Sequence, residues 1–314
     1  MEEKKQIAIG ADIGGSHISC AAIDLSTHTI INGSYSIVDV DNHANAKEII
    51  SKWSNAIKES LDKIQANEPV GIGFAMPGPF DYIKGIGLFE GENEKFENLN
   101  GVNVIEKLQE SLNFNSEVSI RFMNDATAFA VGAVWADDKL ADKSVLAITL
   151  GTGFGSAFIK NTLPVLQGET VPKFGCLYHL PFKDGIADQT FSTRGLTKSY
   201  KEKSGIDING VKEIADKATS DENAVLAFKQ FGKELAEFLS PWIKKASINS
   251  IVIGGNISKA HTLFLGNLKS ELKVLGDHPD ISISSENDLQ AILGAARLSE
   301  ENYWNKIQPL LKYM

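Results

Sequence analysis

The chain carries one pattern twice, as IAIGADIGGSH at residues 7–17 and as VLAITLGTGFG at residues 145–155. In each copy an apolar, strand-like run leads into a glycine turn, and a second apolar run follows, at 18–24 and at 156–160. This second run argues against the dinucleotide-binding fingerprint, in which a helix follows the glycines. Two strand–turn–strand units predict a duplicated architecture with one copy in each of two domains, and a ligand in the cleft between them.

Apolar runs of β type alternate with amphipathic helical runs along the chain, which predicts an α/β fold. The predicted strands are Ile7–Ala11, Ser19–Asp24, Val70–Phe74, Val118–Met123, Val145–Leu150, Ser156–Lys160 and Ser250–Ile253. The predicted helices are Asn45–Ile64, Ile105–Leu112, Ala126–Ala136, Val211–Ala218, Asn223–Lys245 and Leu289–Leu298. A length of 314 residues suits two domains. We place them at 1–122 with a C-terminal helix at 299–314, and at 123–298.

Composition limits the partners. A net charge of −9 argues against a general nucleic-acid-binding surface, which is normally basic. The two cysteines form no C-x-x-C pair, and without a disulfide framework a reducing compartment is expected. The short charged stretch before Ile7 leaves no room for a signal peptide, and no apolar run reaches the roughly 18–20 residues that span a bilayer. We therefore expect a cytoplasmic protein without nucleic-acid or membrane partners.

The two glycine turns are candidate phosphate-binding sites. Glycines let a phosphate approach main-chain N–H groups without a Cβ in the way. The candidate nucleotide-binding residues are Gly14, Gly15, Ser16 and His17 in the first turn, and Gly151, Thr152 and Gly153 in the second. Asp12 is suited to holding Mg²⁺, directly or through water. The alternative for the first turn is an ordinary tight hairpin.

Two further strand ends carry polar residues. In the first, Gly254 and Gly255 precede Asn256, and flat ligands such as adenine pack well where side chains are missing. The alternative there is a plain strand-to-helix turn with a cap. In the second, Asn124 and Asp125 stand between a strand and a helix. Asp125 is either only a helix cap or a base that accepts a proton from a hydroxyl as it attacks a γ-phosphorus.

The order of these motifs resembles the ROK family of sugar kinases (repressor, open reading frame, kinase). The motifs that carry the resemblance are DIGGSH at 12–17, PGP at 77–79 with Asp81, NDA at 124–126, LGTGFG at 150–155, IGGN at 253–256 and AILGAA at 291–296. They cover about residues 7 to 298. The resemblance implies a two-domain ATPase fold of the actin and hexokinase type, built from duplicated ribonuclease H-like domains. It also implies a C-terminal helix that returns to the first domain, and a homodimer.

The resemblance assigns roles to the candidate residues. Asp12 and the first turn would handle Mg²⁺–ATP, the second turn would bind phosphates, and residues 254–256 would border the adenosine. Asp125 would be the catalytic base. The segment ENEKF at 92–96 takes the place of the family's Asn-x-x-Trp, with Phe96 for the tryptophan. The implied sugar-binding residues are Gly78, Asn93, Asn124, Asp125, His179 and Asp188.

Two segments depart from the family. The family's Gly-Glu-x-Gly-His reads GCLYH at 175–179, and the thiol of Cys176 cannot accept two hydroxyl hydrogen bonds as a carboxylate does. The family's cysteine-rich zinc motif reads KDGIADQ at 183–189, so no zinc is expected. Asp188 falls at the position of a sugar-binding glutamate. Packing of Phe182 and Phe191 is expected to order this loop instead of zinc.

The predicted function is transfer of the γ-phosphoryl group of ATP to a hexose hydroxyl, the 6-hydroxyl of glucose or a close relative. N-acetylmannosamine and fructose remain open as acceptors. The alternative is a non-catalytic sugar-sensing protein, which Cys176 and the missing zinc motif favour. Asp12, Asp125 and both glycine turns favour the kinase. The DNA-binding module of ROK repressors is not expected, because six residues before Ile7 are too few for it.

Overall fold

The structure is a computed structural model that describes residues 6–66, 68–90, 95–114, 117–284 and 287–314. Its strands are β1 (Ile7–Ile13), β2 (His17–Asp24), β3 (Thr29–Ile30), β4 (Ser36–Asp39), β5 (Gly71–Met76), β6 (Phe80–Asp81), β7 (Ile86–Gly87), β8 (Ser119–Asn124), β9 (Val145–Leu150), β10 (Phe154–Lys160), β11 (Leu163–Pro164), β12 (Pro181–Phe182), β13 (Gly185–Ile186), β14 (Ser250–Gly254) and β15 (Asp280–Ile283). Its helices are α1 (Ala46–Lys63), α2 (Val104–Leu112), α3 (Asp125–Ala136), α4 (Ala187–Thr190), α5 (Thr193–Ser204), α6 (Val211–Lys217), α7 (Glu222–Lys245), α8 (His261–Val274), α9 (Asn287–Ala296) and α10 (Glu301–Ile307).

Two main sheets repeat one topology. In the first sheet the strand order is β3-β2-β1-β5-β8, and β4 also pairs with β2. In the second sheet the order is β11-β10-β9-β14-β15. Each sheet joins an antiparallel hairpin, β1–β2 or β9–β10, to parallel strands on the side of its first strand. The predicted duplication of a strand–turn–strand unit within an α/β fold is confirmed.

The chain divides into two compact units. The first comprises Met1–Asp138 and Asp288–Met314, and the second comprises Lys139–Asn287. The C-terminal segment Asp288–Met314 is grouped with the first unit. The sequence-based bounds, 1–122 with 299–314 and 123–298, assigned α3 and α9 to the second domain, whereas the structure groups both helices with the first unit.

Glycine contacts explain why α9 belongs to the first unit. A Cβ added at Gly73 of β5 would lie 1.7 Å from the carbonyl oxygen of Ala295, and one added at Gly132 of α3 would lie 1.8 Å from that of Gln290. Both distances are far inside van der Waals contact. The backbone of α9 therefore packs directly on the first sheet and on α3, the helix that begins at Asp125.

Phenylalanines tie the segment of β12, β13 and α4 to the core of the second unit. Phe191, which is fully buried, packs against Phe182 at 5.1 Å and against Phe238 of α7 at 5.2 Å between ring centroids. Phe154 of β10 joins the cluster 5.6 Å from Phe191. The expected packing of Phe182 and Phe191 is present. Among the described residues, no helix is long and apolar enough to cross a membrane.

Candidate active site

The carboxyl ends of three neighbouring parallel strands bring predicted site residues of the first unit to one sheet edge. Asp12 on β1 lies opposite Ala75 on β5, and Met76 on β5 lies opposite Asn124 on β8. Neighbouring strands are about 4.8 Å apart. Asp12, Asn124 and the segment after Met76, which contains Gly78, therefore converge at this edge. The Gly78–Pro79 peptide bond is cis, and Gly78 approaches the hydroxyl of Tyr82.

The first glycine turn joins β1 to β2 at the same edge. The N–H of Gly14 donates to the carbonyl of His17 at 2.9 Å, and the side-chain amide of Asn42 donates to the carbonyl of Gly15. The carbonyl of Ser16 accepts from the N–H of Val40 at 2.9 Å. Neither glycine has a positive φ, so the missing side chain matters for close approach and not for the backbone conformation. A Cβ added at Gly14 would lie 3.2 Å from the carbonyl oxygen of His17, and the turn is a fixed loop.

Asp125 begins α3 directly after that edge, and Asn124 is the N-cap. The Oδ1 of Asn124 accepts from the N–H of Thr127 at 3.2 Å, which satisfies one of the open donors at the helix start. The Oδ1 of Asp125 accepts from the amide of Asn124 and from the N–H of Ala126, both at 2.9 Å. Asp125 is thus a held carboxylate in the first turn of the helix, and the capping role that the sequence left open for Asp125 belongs to Asn124.

Burial raises the pKa of Asp125 above its ordinary value. Hydrogen bonds from the N–H of Ala126 and from Asn124, and the positive charge of Lys95, act in the opposite direction. Desolvation is the largest of these effects, as expected for a carboxylate withdrawn from water. A base with a raised pKa holds a transferred proton more readily, which suits proton transfer near neutral pH.

Lys95 is a site residue that sequence reasoning missed. A Cβ added at Gly15 would lie 3.4 Å from its Nζ, and its charge acts on Asp125. Lys95 belongs to the segment 92–96, in which Asn93 is predicted to contact the sugar, but Asn93 itself lies outside the described residues. The neighbouring Phe96 anchors this loop, because its buried ring packs 5.8 Å from that of Trp53. Lys95 thus places a cation beside the first turn, and its positive charge lowers the pKa of Asp125.

The second glycine turn, Gly151–Gly153, is tied to the segment that starts α5. The carbonyl of Gly151 accepts from the N–H of Thr193 at 2.8 Å and from its hydroxyl at 3.0 Å. The N–H of Phe154 donates to Oδ1 of Asp188 at 2.8 Å. Thr152 is exposed at the tip.

Asp188 lies against this turn. Its Oδ1 accepts from Phe154, and its Oδ2 accepts from Arg194 at 2.6 Å. Both carboxylate oxygens are therefore engaged within the second unit.

The residues after β14 lie beside the second turn. Gly254 is paired with Thr149 on β9, and a Cβ added at Gly151 would lie 4.0 Å from the backbone nitrogen of Asn256. Gly255 has a φ of 86°, and a Cβ there would lie 2.2 Å from the carbonyl oxygen of Leu150. Glycine is required at 255 on both grounds. The structure brings residues 254–256 and the second turn together at the carboxyl ends of two parallel strands.

His179 lies in a segment fixed to β10, because the N–H of Leu177 donates to the hydroxyl of Ser156 at 2.7 Å. Its Nδ1 is 3.8 Å from the Sγ of Cys176. Burial raises the pKa of Cys176 to about 12, and burial together with Lys173 lowers the pKa of His179. Both side chains are therefore neutral at pH 7. The pair offers a neutral imidazole and a thiol where the family pattern has a carboxylate.

The described part of the chain contains no group of three or more His, Cys, Asp or Glu placed to hold a metal ion. A zinc site would need such a group. Mg²⁺ has a different requirement, because it is usually held by one or two carboxylates together with substrate phosphates and water. Asp12, at the strand end directly before the first turn, fits that donor set.

Comparison with known proteins places these features in a family. Residues 8–302 match the model of the ROK family. The N-acetyl-D-glucosamine kinase of Pasteurella multocida is 24% identical over 92% of this chain and 98% of its own length, and the glucokinase of Halalkalibacterium halodurans is 22% identical over 95% and 97%. The N-acetyl-D-glucosamine kinase of Photobacterium profundum is 26% identical, but the match spans only 56% of this chain and 65% of that protein.

Solved structures share the fold. A ROK family glucokinase from Streptomyces griseus, in complex with glucose and AMPPNP, superposes with a TM-score of 0.73 at 20% identity, covering 93% of this chain and 98% of its own. A ROK family transcriptional regulator, a homolog of the E. coli MLC protein, superposes with a TM-score of 0.74 at 14% identity, covering 97% and 80%. The fold is of the actin and hexokinase type, and the chain belongs to the ROK family.

Proposed function

We propose that this protein is an ATP-dependent sugar kinase in which Asp125 is the general base. The observation that carries the proposal is the position of Asp125, a held carboxylate with a raised pKa at the sheet edge where Asp12 and the first glycine turn also lie. Relatives of nearly the same length are named as sugar kinases. A hydroxyl that approaches this edge would meet a base beside a candidate phosphate-binding turn.

Phosphoryl transfer requires little covalent chemistry from the protein. In-line phosphoryl transfer depends on positioning and on neutralising charge. Both hydrogen bonds from Asn124 and Ala126 end on Oδ1 of Asp125, and we propose Oδ2 as the atom that accepts the proton of the sugar hydroxyl. Asp12 would hold Mg²⁺, which neutralises phosphate charge when bound. Lys95 would add a cation beside the first turn.

The nucleotide roles follow from the remaining turns. We propose that the first turn contacts phosphates through its backbone, and that Gly151–Gly153 does the same in the second unit. Residues 254–256 would border the adenosine, because the glycines leave no side chain over the end of β14. Each of these roles is the one that the family resemblance implies, and each can be tested by substitution.

For the acceptor we propose a hexose related to glucose, phosphorylated on its 6-hydroxyl. Named relatives include both a glucokinase and N-acetyl-D-glucosamine kinases, so both sugars belong in the test. Gly78 and Asn124 lie at the edge that carries the base, and His179 offers a neutral imidazole for a sugar hydroxyl. We also propose a homodimer, as the family resemblance implies, which sedimentation analysis would check.

A second candidate function is sugar sensing without catalysis. It is favoured by Cys176, whose neutral thiol replaces the family's carboxylate, and by the shared fold of a ROK transcriptional regulator. The positions of Asp12 and Asp125 favour the kinase, because sensing requires neither a metal ligand nor a base.

The test is an ADP-release assay with Mg²⁺–ATP across glucose, N-acetylglucosamine, N-acetylmannosamine, mannose and fructose. We expect turnover that depends on one or a few of these sugars and exceeds the ATPase rate without sugar. Calorimetry with the same sugars separates the two candidates. Sugar binding without turnover, by a protein that also binds ATP, would contradict the kinase and support the sensor.

The charge of Lys95 gives a prediction about pH. Only ionised Asp125 accepts a proton, so kcat/KM should rise with pH through the pKa of Asp125. Lys95 lowers that pKa, and Lys95→Met should therefore shift the rising limb of the profile to higher pH. The measurement is kcat/KM against pH, with Lys52→Met on the exposed face of α1 as control. An unshifted limb in Lys95→Met, or an equal shift in the control, would contradict the assignment.

A further inference from the structure

Asp188 and Arg194 form an ion pair directly beside the second glycine turn. The Oδ2 of Asp188 accepts from Arg194 at 2.6 Å, and its Oδ1 accepts from the N–H of Phe154 at 2.8 Å. A Cβ added at Gly153 would lie 2.8 Å from the same Oδ1. The carboxylate is therefore packed against the turn, and each of its oxygens accepts one hydrogen bond, from the turn at Oδ1 and from Arg194 at Oδ2.

An isolated carboxylate at this place would oppose phosphate binding, because like charges a few ångströms apart repel strongly where water is partly excluded. Arg194 neutralises it. The guanidinium carries five N–H donors in a planar fork, and 67% of the Arg194 side chain remains exposed. Asp188 thus fixes one side of the Arg194 guanidinium, and the remaining N–H donors of Arg194 stay available to a phosphate.

The backbone around Arg194 also favours a negatively charged ligand. Thr193 opens α5 and binds the carbonyl of Gly151 through both its N–H and its hydroxyl. The positive end of the α5 dipole therefore lies next to the turn, and it favours an anion there. The N-cap hydroxyl of Ser192 is buried and has no hydrogen-bond partner among the described residues. Side chains and backbone together make this place suitable for an anion.

We propose that Arg194 binds the phosphates of the nucleotide, and that Asp188 is a positioning residue that holds Arg194 and the Gly151–Gly153 turn instead of contacting the sugar. The proposal rests on the nucleotide role of the second turn. It differs from the role that the family resemblance implies for Asp188, and it is argued from the two contacts that the carboxylate makes, to the N–H of Phe154 and to Arg194. Arg194 becomes the cation for the phosphates in the second unit.

Nucleotide binding measured by calorimetry tests Arg194 without requiring turnover. The ligands are adenosine, ADP and ATP with Mg²⁺, and the variants are Arg194→Met, Arg194→Lys and Lys198→Met, a control one turn further along α5. A hydrogen bond to a charged group contributes about 1.5–3 kcal/mol, so Arg194→Met should weaken ADP and ATP about 10-fold or more and leave adenosine unchanged. Arg194→Lys should fall between, because it keeps the charge and loses the fork.

Two outcomes of that experiment are separable. If the wild-type protein binds ATP and Arg194→Met binds ADP and ATP as tightly, the role of Arg194 is overturned while the kinase proposal stands. If the wild-type protein binds nucleotide and shows no turnover with any sugar, the kinase proposal fails and the role of Arg194 is still decided by the variants. Equal weakening of adenosine and ATP would show general damage and overturn the assignment.

Asp188→Asn tests the positioning role. The asparagine keeps the size and can still accept from Phe154, but it no longer pairs with Arg194 as an anion. We expect sugar affinity to stay within about twofold of wild type, because the proposal gives Asp188 no contact with the sugar. Removing a hydrogen bond between a carboxylate and a sugar hydroxyl would cost about 1.5–3 kcal/mol. In the Asp188→Asn background, Arg194→Met should weaken ATP by a smaller factor than in wild type, because an untethered guanidinium loses more conformational freedom on binding. A 10-fold loss of sugar affinity, or an unchanged effect of Arg194→Met, would overturn the role of Asp188.

Discussion

Asp125→Asn is expected to lower kcat by about 10²–10⁴-fold, the usual contribution of a positioned general base. The amide is nearly isosteric and can keep the hydrogen bond from Ala126, but it cannot take up the proton of the attacking hydroxyl. Sugar affinity should change little. The measurement is steady-state kinetics with calorimetry, and Asp138→Asn, an exposed change beyond the other end of α3, should retain full activity.

Asp125→Asn is expected to lower the activity of the protein but to raise its stability. The pKa of Asp125 is raised in the folded state, so the folded protein holds this proton more tightly than the unfolded chain. The contribution of Asp125 to the free energy of unfolding therefore falls as pH rises from the ordinary carboxyl pKa through the raised one. At pH 7 the ionised carboxylate lowers the stability of the folded protein. Asp125→Asn should raise Tm at pH 7. Loss of activity together with a lowered Tm would attribute the loss to unfolding and contradict the assignment of the base.

Phe191→Ala is expected to lower the free energy of unfolding by about 3–5 kcal/mol, the usual effect of removing a buried phenylalanine. Phe191 is fully buried, and its ring packs within 6 Å of four others. They are Phe154, Phe182, Phe231 and Phe238. Because Phe191 stands between α4 and α5, its loss should also loosen the segment that carries Asp188 and Arg194. Urea denaturation would measure the stability, and nucleotide affinity would report on the segment.

The control for Phe191 is Phe174→Ala on the same long segment. Phe174 is 40% exposed, so its truncation should change the free energy of unfolding by less than about 1 kcal/mol. A zinc chelator should leave the Tm of the wild-type protein unchanged, since aromatic packing holds the loop. A small effect of Phe191→Ala, or a fall in Tm on chelation, would contradict that account of the loop.

Much of the fold could be predicted because the main hairpins and helices have strong local signals. The turns at 14–16 and 151–153 stand between long apolar runs, and β1–β2 and β9–β10 form there as predicted. Helix α1 forms where the sequence predicts a helix over Asn45–Ile64, and the side chain of Asn45 caps it. Helix α5 was missed because only Leu196 and Tyr200 of its twelve residues are buried, which leaves little periodic pattern. Strands β4 and β15 are short and half-exposed, so they too lack a clear signal.

Some residues of the candidate site could be predicted from local sequence, and others could not. Asp12 and Asn124 lie at strand ends, Asp125 directly follows Asn124, and parallel strand ends meet at one edge, so local sequence was enough to place them. Lys95 could not be found this way, because its approach to Gly15 joins residues 80 positions apart. Arg194 lies on the helix that sequence reasoning missed. Such long-range pairs come only from the packed structure, since no local pattern encodes them.

The most direct test of the central claim is ³¹P NMR of a reaction containing the protein, Mg²⁺–ATP and the sugar that stimulates ADP release most. The account predicts a sugar phosphate whose phosphorus couples to the two protons on C6, formed in step with ADP, and about 10²–10⁴-fold slower formation of that product with Asp125→Asn. Release of inorganic phosphate alone, or no change in ATP with every sugar that binds, would contradict it.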